Sequence, residues 1–397
     1  ITVYSHWMNV YSMKSWGESV IFVGRKNTHD FYVNSHIYFK GEFRYENEKS
    51  KLTPSTSVKG LDVYKIIQYH IINRTHHASD YHAQPGGTFL FVENFMLQYP
   101  KRILTIAQQV QSYVDAGMVI TSRVDVENAL RSIGFYRLRG YSFHLYDNDT
   151  KKYVSGTRFE DILKLYHFDQ ELSVLVFSMI SKIEVSLRVR LVEALLIHGD
   201  SLVLQDSSIY RDKKLYWQNM STIASEIARS NDVFIKHNFD NHDGEVPVWA
   251  AVEVISFGTL SKIIKNLKTG AGSSYSILAA NYQYRSQKGN LVNPSQKMLS
   301  SWIQGVSILR NMCAHNSRIY NRTIHTTPEI LDVDKIMPLP AHNGLYQSLL
   351  AMKYLKPSDE EWTSFVDEFD KLIQKNNSII SITAMNLPAD WKAHLSV

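Results

Sequence analysis

The sequence holds one cysteine, Cys313, in 397 residues. That excludes an internal disulfide framework and a cysteine-rich zinc centre, and it suits a reducing compartment. Long apolar runs are missing too. A membrane-spanning helix needs about 18–20 apolar residues, whereas the stretch Leu172–Ile180 is interrupted by serines and soon meets Lys182 and Glu184. The first residues carry neither the basic start nor the apolar block of a secretion signal, so a cytoplasmic protein without membrane contact is expected. Tandem repeats and low-complexity segments are absent. The glycine-rich Thr269-Gly-Ala-Gly-Ser-Ser274 lacks the Lys-Ser/Thr of a phosphate-binding P-loop, which argues against nucleotide binding. What is present is ordinary for a globular chain: 44% hydrophobic and 20% charged residues, enough for a real core and two or three domains. A net charge of +5 is compatible with a nucleic-acid partner without requiring one.

The stretch richest in chemistry is Leu309-Arg310-Asn311-Met312-Cys313-Ala314-His315-Asn316. Read as a helix over 300–316 at about 100° per residue, it puts Trp302, Val306, Leu309 and Cys313 on one apolar stripe. Gln304, Ser307, Asn311 and His315 fall on the opposite face. Asn311 and His315, four apart, share that face, and the long Arg310 side chain can swing back to them. A fixed cation, an amide and a titratable imidazole beside a buried wall are the groups needed to hold a phosphodiester and move a proton. Arg318 and Arg322 extend a basic edge beyond the helix. Cys313 is a rival nucleophile, but i,i+2 positions diverge on a helix and a thiol on an apolar stripe is inert packing.

Before this stretch, residues 1–95 hold seven of the sixteen histidines and alternating runs at 31–33 and 36–39 that read as strands. The cluster His76, His77, Asp80 and His82 lacks an evident further ligand and reads as a solvated loop rather than a metal site. Helical patterning begins at Thr105, with a stop at Gly117, and a second helix opens near Thr121 or Ser122. In Phe135-Tyr-Arg-Leu-Arg-Gly-Tyr141, Arg137 and Arg139 among aromatics could grip RNA, while the tyrosines read as sealing a small module onto the main body. Thr157-Arg-Phe-Glu160 has the form of a capping box. It runs into Leu165-Tyr-His-Phe-Asp-Gln-Glu-Leu172 and then a long helix to about 196 that carries Glu184 and Arg188 four apart. That pair is either a surface ion pair or, in a bundle, a group facing His315 in which Glu184 orients Arg310. Trp249 and Gly258 read as packing positions, for area and for close approach.

Several of these stretches, in this order, resemble elements of the abortive-infection (Abi-like, AbiD/AbiF-type) branch of the HEPN superfamily of helical RNases and RNA-binding proteins. They are Met96-Leu-Gln-Tyr-Pro-Lys, Phe135–Tyr141, Leu165–Leu172, the Glu184/Arg188 pair, Val246-Pro-Val-Trp249, Ser256–Ser261, Arg310–His315 and Leu387-Pro-Ala-Asp-Trp391. Ser173 stands where the family commonly has Arg, and Asn386 where it has Gly. The resemblance covers about 96–397 and implies a mainly α fold: a small N-terminal helical module at 96–150 and a HEPN-type helical bundle at 151–397. Residues 1–95 would then be an extension, α+β in character, forming an extra domain or lying upstream of a start at Met96.

The resemblance also implies an activity: metal-independent RNA cleavage by attack of the ribose 2′-OH, with Arg310, Asn311 and His315 catalytic and no cofactor. One histidine cannot serve both sides of a phosphorus atom at once, so a homodimer with a composite site is expected. The implied role is that of an antiphage, toxin-type protein with RNA as substrate and a structured non-coding RNA as a further partner. The alternative is a non-catalytic RNA-binding HEPN scaffold. A toxin silenced by tyrosine modification is disfavoured, because Ser317 stands where that branch has Tyr.

Overall fold

The computed structural model describes residues 103–335 and 344–397, together with four strands before them. The chain divides into two units, Ile1–Ile103 and Leu104–Val397. In the first, β1 (Met8–Ser15) pairs antiparallel with β2 (Glu18–Arg25), and β3 (Ser35–His36) with β4 (Ile66–Ile67). His36 of the expected second strand lies in β3. Residues 31–33, His76, His77, Asp80, His82 and Met96 lie outside the described residues.

The second unit is mainly α. Thr105 opens α1 (Ile106–Asp115) through a capping box with Gln108, and α1 ends where Gly117 turns left-handed at φ 84°. Ser122 accepts from the Asp125 N–H and starts α2 (Arg123–Ser132), and α3 (Phe135–Ser142) follows. A short hairpin of β5 (Tyr146–Asp147) and β6 (Lys152–Tyr153) leads into α4 (Phe159–Leu195). At 37 residues, α4 is about 55 Å long at the helical rise.

Two expectations change at this point. The capped start and the later long helix are one continuous helix. The capping box at its head also does not form: the Thr157 hydroxyl donates to the Val154 carbonyl, and the Glu160 carboxylate reaches across to Thr121. Glu160 stabilises the link to the α1–α2 turn instead of the helix end.

Helices α7 (Val248–Val254), α8 (Phe257–Asn266) and α9 (Ser274–Ala280) pack on α4, while α5 (Lys213–Ala228) packs on α7 and α8 and α6 (Val233–Asn241) on α7. Trp249 is 54% exposed and adds little packing; Val248, Ala250 and Ala251 supply the buried face of α7. A side chain at Gly258 would meet only the Ser256 hydroxyl, at an ordinary 3.9 Å, so no close approach requires glycine there and the corner before α8 owes its form to Ser256, which caps the Thr259 N–H.

After the hairpin of β7 (Tyr284–Arg285) and β8 (Leu291–Val292), α10 (Gln296–Ala314) runs through the middle of the unit. It packs on α4, α8, α9 and α11 (Leu345–Leu355). Its buried stripe is Leu299, Trp302, Ile303, Val306, Leu309 and Cys313. Trp302 stacks on Tyr354 at 5.0 Å and donates its indole N–H to the Glu329 carbonyl at 2.8 Å. Ser358 caps α12 (Asp359–Lys375), whose Glu361 pairs with Lys182 of α4 at 3.0 Å. Before α13 (Trp391–Leu395), Asn386 sits at φ 60°. That left-handed conformation is one Gly or Asn adopts most readily, which accounts for an Asn where the family commonly has Gly.

Candidate functional site

The end of α10 carries the candidate site. The helix stops one residue short of His315, which is its C-cap, and Asn316 follows at φ 51°. The Ser317 N–H donates to the Met312 carbonyl at 2.8 Å and the Asn316 N–H to the Cys313 carbonyl at 3.0 Å. This is a Schellman closure, with Asn in the left-handed position usually given to Gly. His315 is therefore held at a fixed, exposed point where the chain leaves the bundle, and Asn311 lies one turn behind it, also exposed. Ser307, expected on the same open face, is buried at 6% exposure because α10 is enclosed on more sides at its middle than at its end.

Arg310 leans toward this face. Its Nη1 is 3.4 Å from Asn311 Oδ1, and its guanidinium lies 5.7 Å from the Phe177 ring centre. Its Nε is 3.6 Å from Glu184 Oε2 on α4. Glu184 also binds Arg188, and Arg188 in turn donates to the carbonyls of Val252 and, at 2.9 Å, Ile255 at the end of α7. Arg188 is only 8% exposed, so the Glu184–Arg188 pair is an interior fixture and not the weak surface bridge that spacing alone allows. It satisfies α7 carbonyls and presents one carboxylate oxygen to Arg310.

Sequence reasoning passed over the residue that holds the next segment. Asp169 on α4 is fully buried. Its carboxylate accepts from the Ile319 N–H at 3.1 Å, the Tyr320 N–H at 2.7 Å and the Tyr141 hydroxyl at 2.7 Å. One side chain thus ties α3, α4 and the chain just past His315 together. Burial pushes its carboxyl above the usual range, while these donors pull the other way. The signal was present: Leu165, Asp169, Leu172 and Val176 fall on one stripe of α4, and an acid at a core position implies buried partners.

The four outlying arginines differ in setting. Arg137 on α3 donates to the Asn316 carbonyl, so α3 closes over the α10 terminus. Arg139 lies 5.1 Å from the Tyr146 ring centre. Arg318 is partly buried over Tyr141 at 5.9 Å, and burial lowers its pKa while Tyr141 and Asp169 oppose that. Arg322 is exposed, its Nη1 3.4 Å from the Arg318 carbonyl. The tyrosines of α3 divide: Tyr141 seals the module, and Tyr136 stands 92% exposed. His144, in the 3-10 turn just after α3, is kept toward its neutral form first by burial and then by the charge of Arg318.

Cys313 is buried, and burial pushes its thiol up to about 11. It is packing, not a nucleophile. Ser173 is buried close to Cys313, a place where the commoner arginine would set a charge against the apolar wall. Among the described residues, no three His, Cys, Asp or Glu side chains gather as a metal ion would require, and no helix is long and apolar enough to cross a membrane.

Residues 128–321 match the family model described as Abi-like protein, which supports placing this chain in an Abi-like family. The matched span takes in Asp169, Glu184, Arg310, Asn311 and His315, and ends one residue before Arg322. No curated protein and no solved structure matches the chain.

Proposed function

We propose that this Abi-like chain is a HEPN-type endoribonuclease of the AbiD/AbiF kind, acting in abortive-infection defence, with Arg310, Asn311 and His315 as its catalytic group. The observation that carries the reading is the end of α10. An imidazole and an amide stand exposed on one face, beside a guanidinium oriented from behind by a half-buried carboxylate.

In the reaction, His315 takes the proton of a ribose 2′-OH, whose oxygen attacks the adjacent phosphorus. The 2′-O–P bond forms and the P–O5′ bond breaks, leaving a 2′,3′-cyclic phosphate and a 5′-hydroxyl after the leaving oxygen gains a proton. Arg310 contacts the phosphate oxygens as charge builds there, and Asn311 donates to one of them or holds the imidazole. No step calls for a metal ion. Entering and leaving oxygens lie on opposite sides of phosphorus, so one imidazole on a rigid helix end serves one of them. The second proton carrier is supplied by another copy of His315 across a two-fold axis, the commonest oligomer symmetry. Tyr136, exposed beside Arg137, gives an RNA base a ring to stack on. A structured non-coding RNA would use the same surface as a regulator.

The test is cleavage of total RNA, with analysis of the new ends, by wild type, His315→Ala and Arg310→Lys. General acid–base catalysis is worth about 10²–10⁴-fold, so His315→Ala should lose at least about a hundredfold. Arg310→Lys should also fail, because a point charge does not replace a planar two-pronged donor. Excess His315→Ala chain mixed with wild type should suppress cleavage beyond dilution. Full cleavage by His315→Ala at equal expression would leave an RNA-binding protein without catalysis as the better reading.

A further inference from the structure

A second polar feature lies on α10, at the opposite end from His315. The first half of the helix, with the segment before α5, the last turn of α8 and residues 326–329, encloses a cleft of about 450 Å³. Arg211, Lys265 and Lys297 line it against one carboxylate, Glu329, which pairs with Lys297. Among the described residues, Arg211 and Lys265 have no acidic partner. Ser300 also lines the cleft; it is 5% exposed, and its buried hydroxyl makes no hydrogen bond. A buried hydroxyl left without a partner carries a cost that a ligand oxygen would relieve.

The helix wheel links this cleft to the candidate site. Lys297, Gln304, Asn311 and His315 fall within about 20° of one line along α10, since seven residues advance a helix by nearly two turns. Gln304, in the cleft, stands eleven positions before His315, a rise of about 16 Å. A stacked nucleic-acid strand advances roughly 3.4 Å per phosphate, so about five nucleotides span that interval. The ligand class follows from the lining: it is cationic and hydroxylic, with no aromatic or large apolar side chain. Such a wall suits the oxygens of a phosphodiester and offers no face to a base.

We propose that this cleft binds a backbone phosphate of the RNA strand whose scissile bond lies at Arg310 and His315, about five nucleotides away. The proposal rests on the RNA reading of the α10 terminus. It makes α10 a ruler along which the strand lies, with Arg211 and Lys265 gripping one end.

The experiment measures binding in the full-length His315→Ala chain, which holds RNA without cutting it. Single-stranded RNAs of about four and about twelve nucleotides are compared, only the longer of which reaches both places at 3.4 Å per phosphate. Arg211→Gln with Lys265→Gln should weaken the longer strand about tenfold and leave the shorter unchanged. Its log–log salt slope should fall by about 0.7–1.4, one or two single-strand phosphates. Both side chains are exposed, and an unchanged melting temperature certifies the fold; Ser300→Ala should give a smaller loss in the same direction. An unaltered slope in the double variant, while Arg310→Ala still lowers it, would overturn the cleft and spare the RNA reading. Failure of every chain to bind RNA would overturn both. Competition by mononucleotides at the affinity of the long strand would overturn the assignment to an RNA backbone.

Discussion

Replacing Asp169 gives a graded test of how the chain beyond His315 is held. In Asp169→Ala, three buried donors lose their acceptor together: the N–H groups of Ile319 and Tyr320 and the hydroxyl of Tyr141. Each orphaned donor costs about 1–3 kcal/mol, so the three together cost about 3–9 kcal/mol, with the lower half, about 3–6 kcal/mol, expected where water enters the space left behind. Asp169→Asn keeps one oxygen for the two backbone donors, and Tyr141 can turn its hydroxyl to accept from the new amide. Only the charge assistance goes, at about 1–3 kcal/mol. Tyr141→Phe removes a single bond to the carboxylate, at about 1 kcal/mol. The order of melting temperatures should therefore be wild type, Tyr141→Phe, Asp169→Asn, Asp169→Ala. At about 2–4 °C per kcal/mol, the conversion for domains of about 150–250 residues, a loss of about 3–6 kcal/mol should lower the last by roughly 6–24 °C. Differential scanning calorimetry checks the order, and RNA cleavage should fall with it, because residues 316–320 fix where the C-cap histidine points. An Asp169→Ala chain melting within a degree or two of wild type would mean that the loop is held by other contacts and that the buried carboxylate is incidental.

Two further outcomes follow from packing around α10. A Cβ at Gly305 would stand 2.9 Å from Pro328 Cδ and closer still to Cγ, so Gly305→Ala should destabilise by about 1–3 kcal/mol through overpacking, read in urea denaturation. The Cys313 thiol, pushed from 9.0 to about 11 by burial, should resist alkylation at about pH 8 in the native chain and react once the chain is unfolded. Because its folded value is raised, the folded state keeps a proton that the unfolded state releases, and stability should fall as pH climbs from about 9 toward 11.

How much of this was legible depended on whether the determining contacts were local. The helix starts at Thr105 and Ser122 and the apolar stripe of α10 are set within a few residues, and period and capping chemistry expose them. The capping box at Thr157 failed because Glu160 found a partner 39 positions back in Thr121. Trp249 was misjudged because a large ring at a helix start does not say which way the helix rolls. The candidate triad could be named from spacing, and a bundle reading of the Glu184/Arg188 pair offers Glu184 as the group that orients Arg310, as the 3.6 Å contact has it. Asp169 could not be named that way, because it reaches Tyr320 across 151 positions in sequence that no periodic pattern encodes. An aspartate on a core stripe was the one local hint, and it says only that a partner exists.

The length of α4 between two of its residues has a consequence of its own. Asp169 and Glu184 serve the two sides of the α10 terminus from a single unbroken helix. Fifteen steps of about 100° leave them roughly 60° apart, near enough to face the same neighbour. Deleting or inserting one residue between them would swing one carboxylate by about 100° relative to the other, so one anchor would be lost even though every side chain remained. Two whole turns, seven residues, would restore the facing but shift it by about 10 Å along the axis. The spacing is therefore constrained as tightly as the residues themselves. Relatives of this chain that preserve the site should tolerate substitutions along this stretch of α4 far more readily than changes in its length.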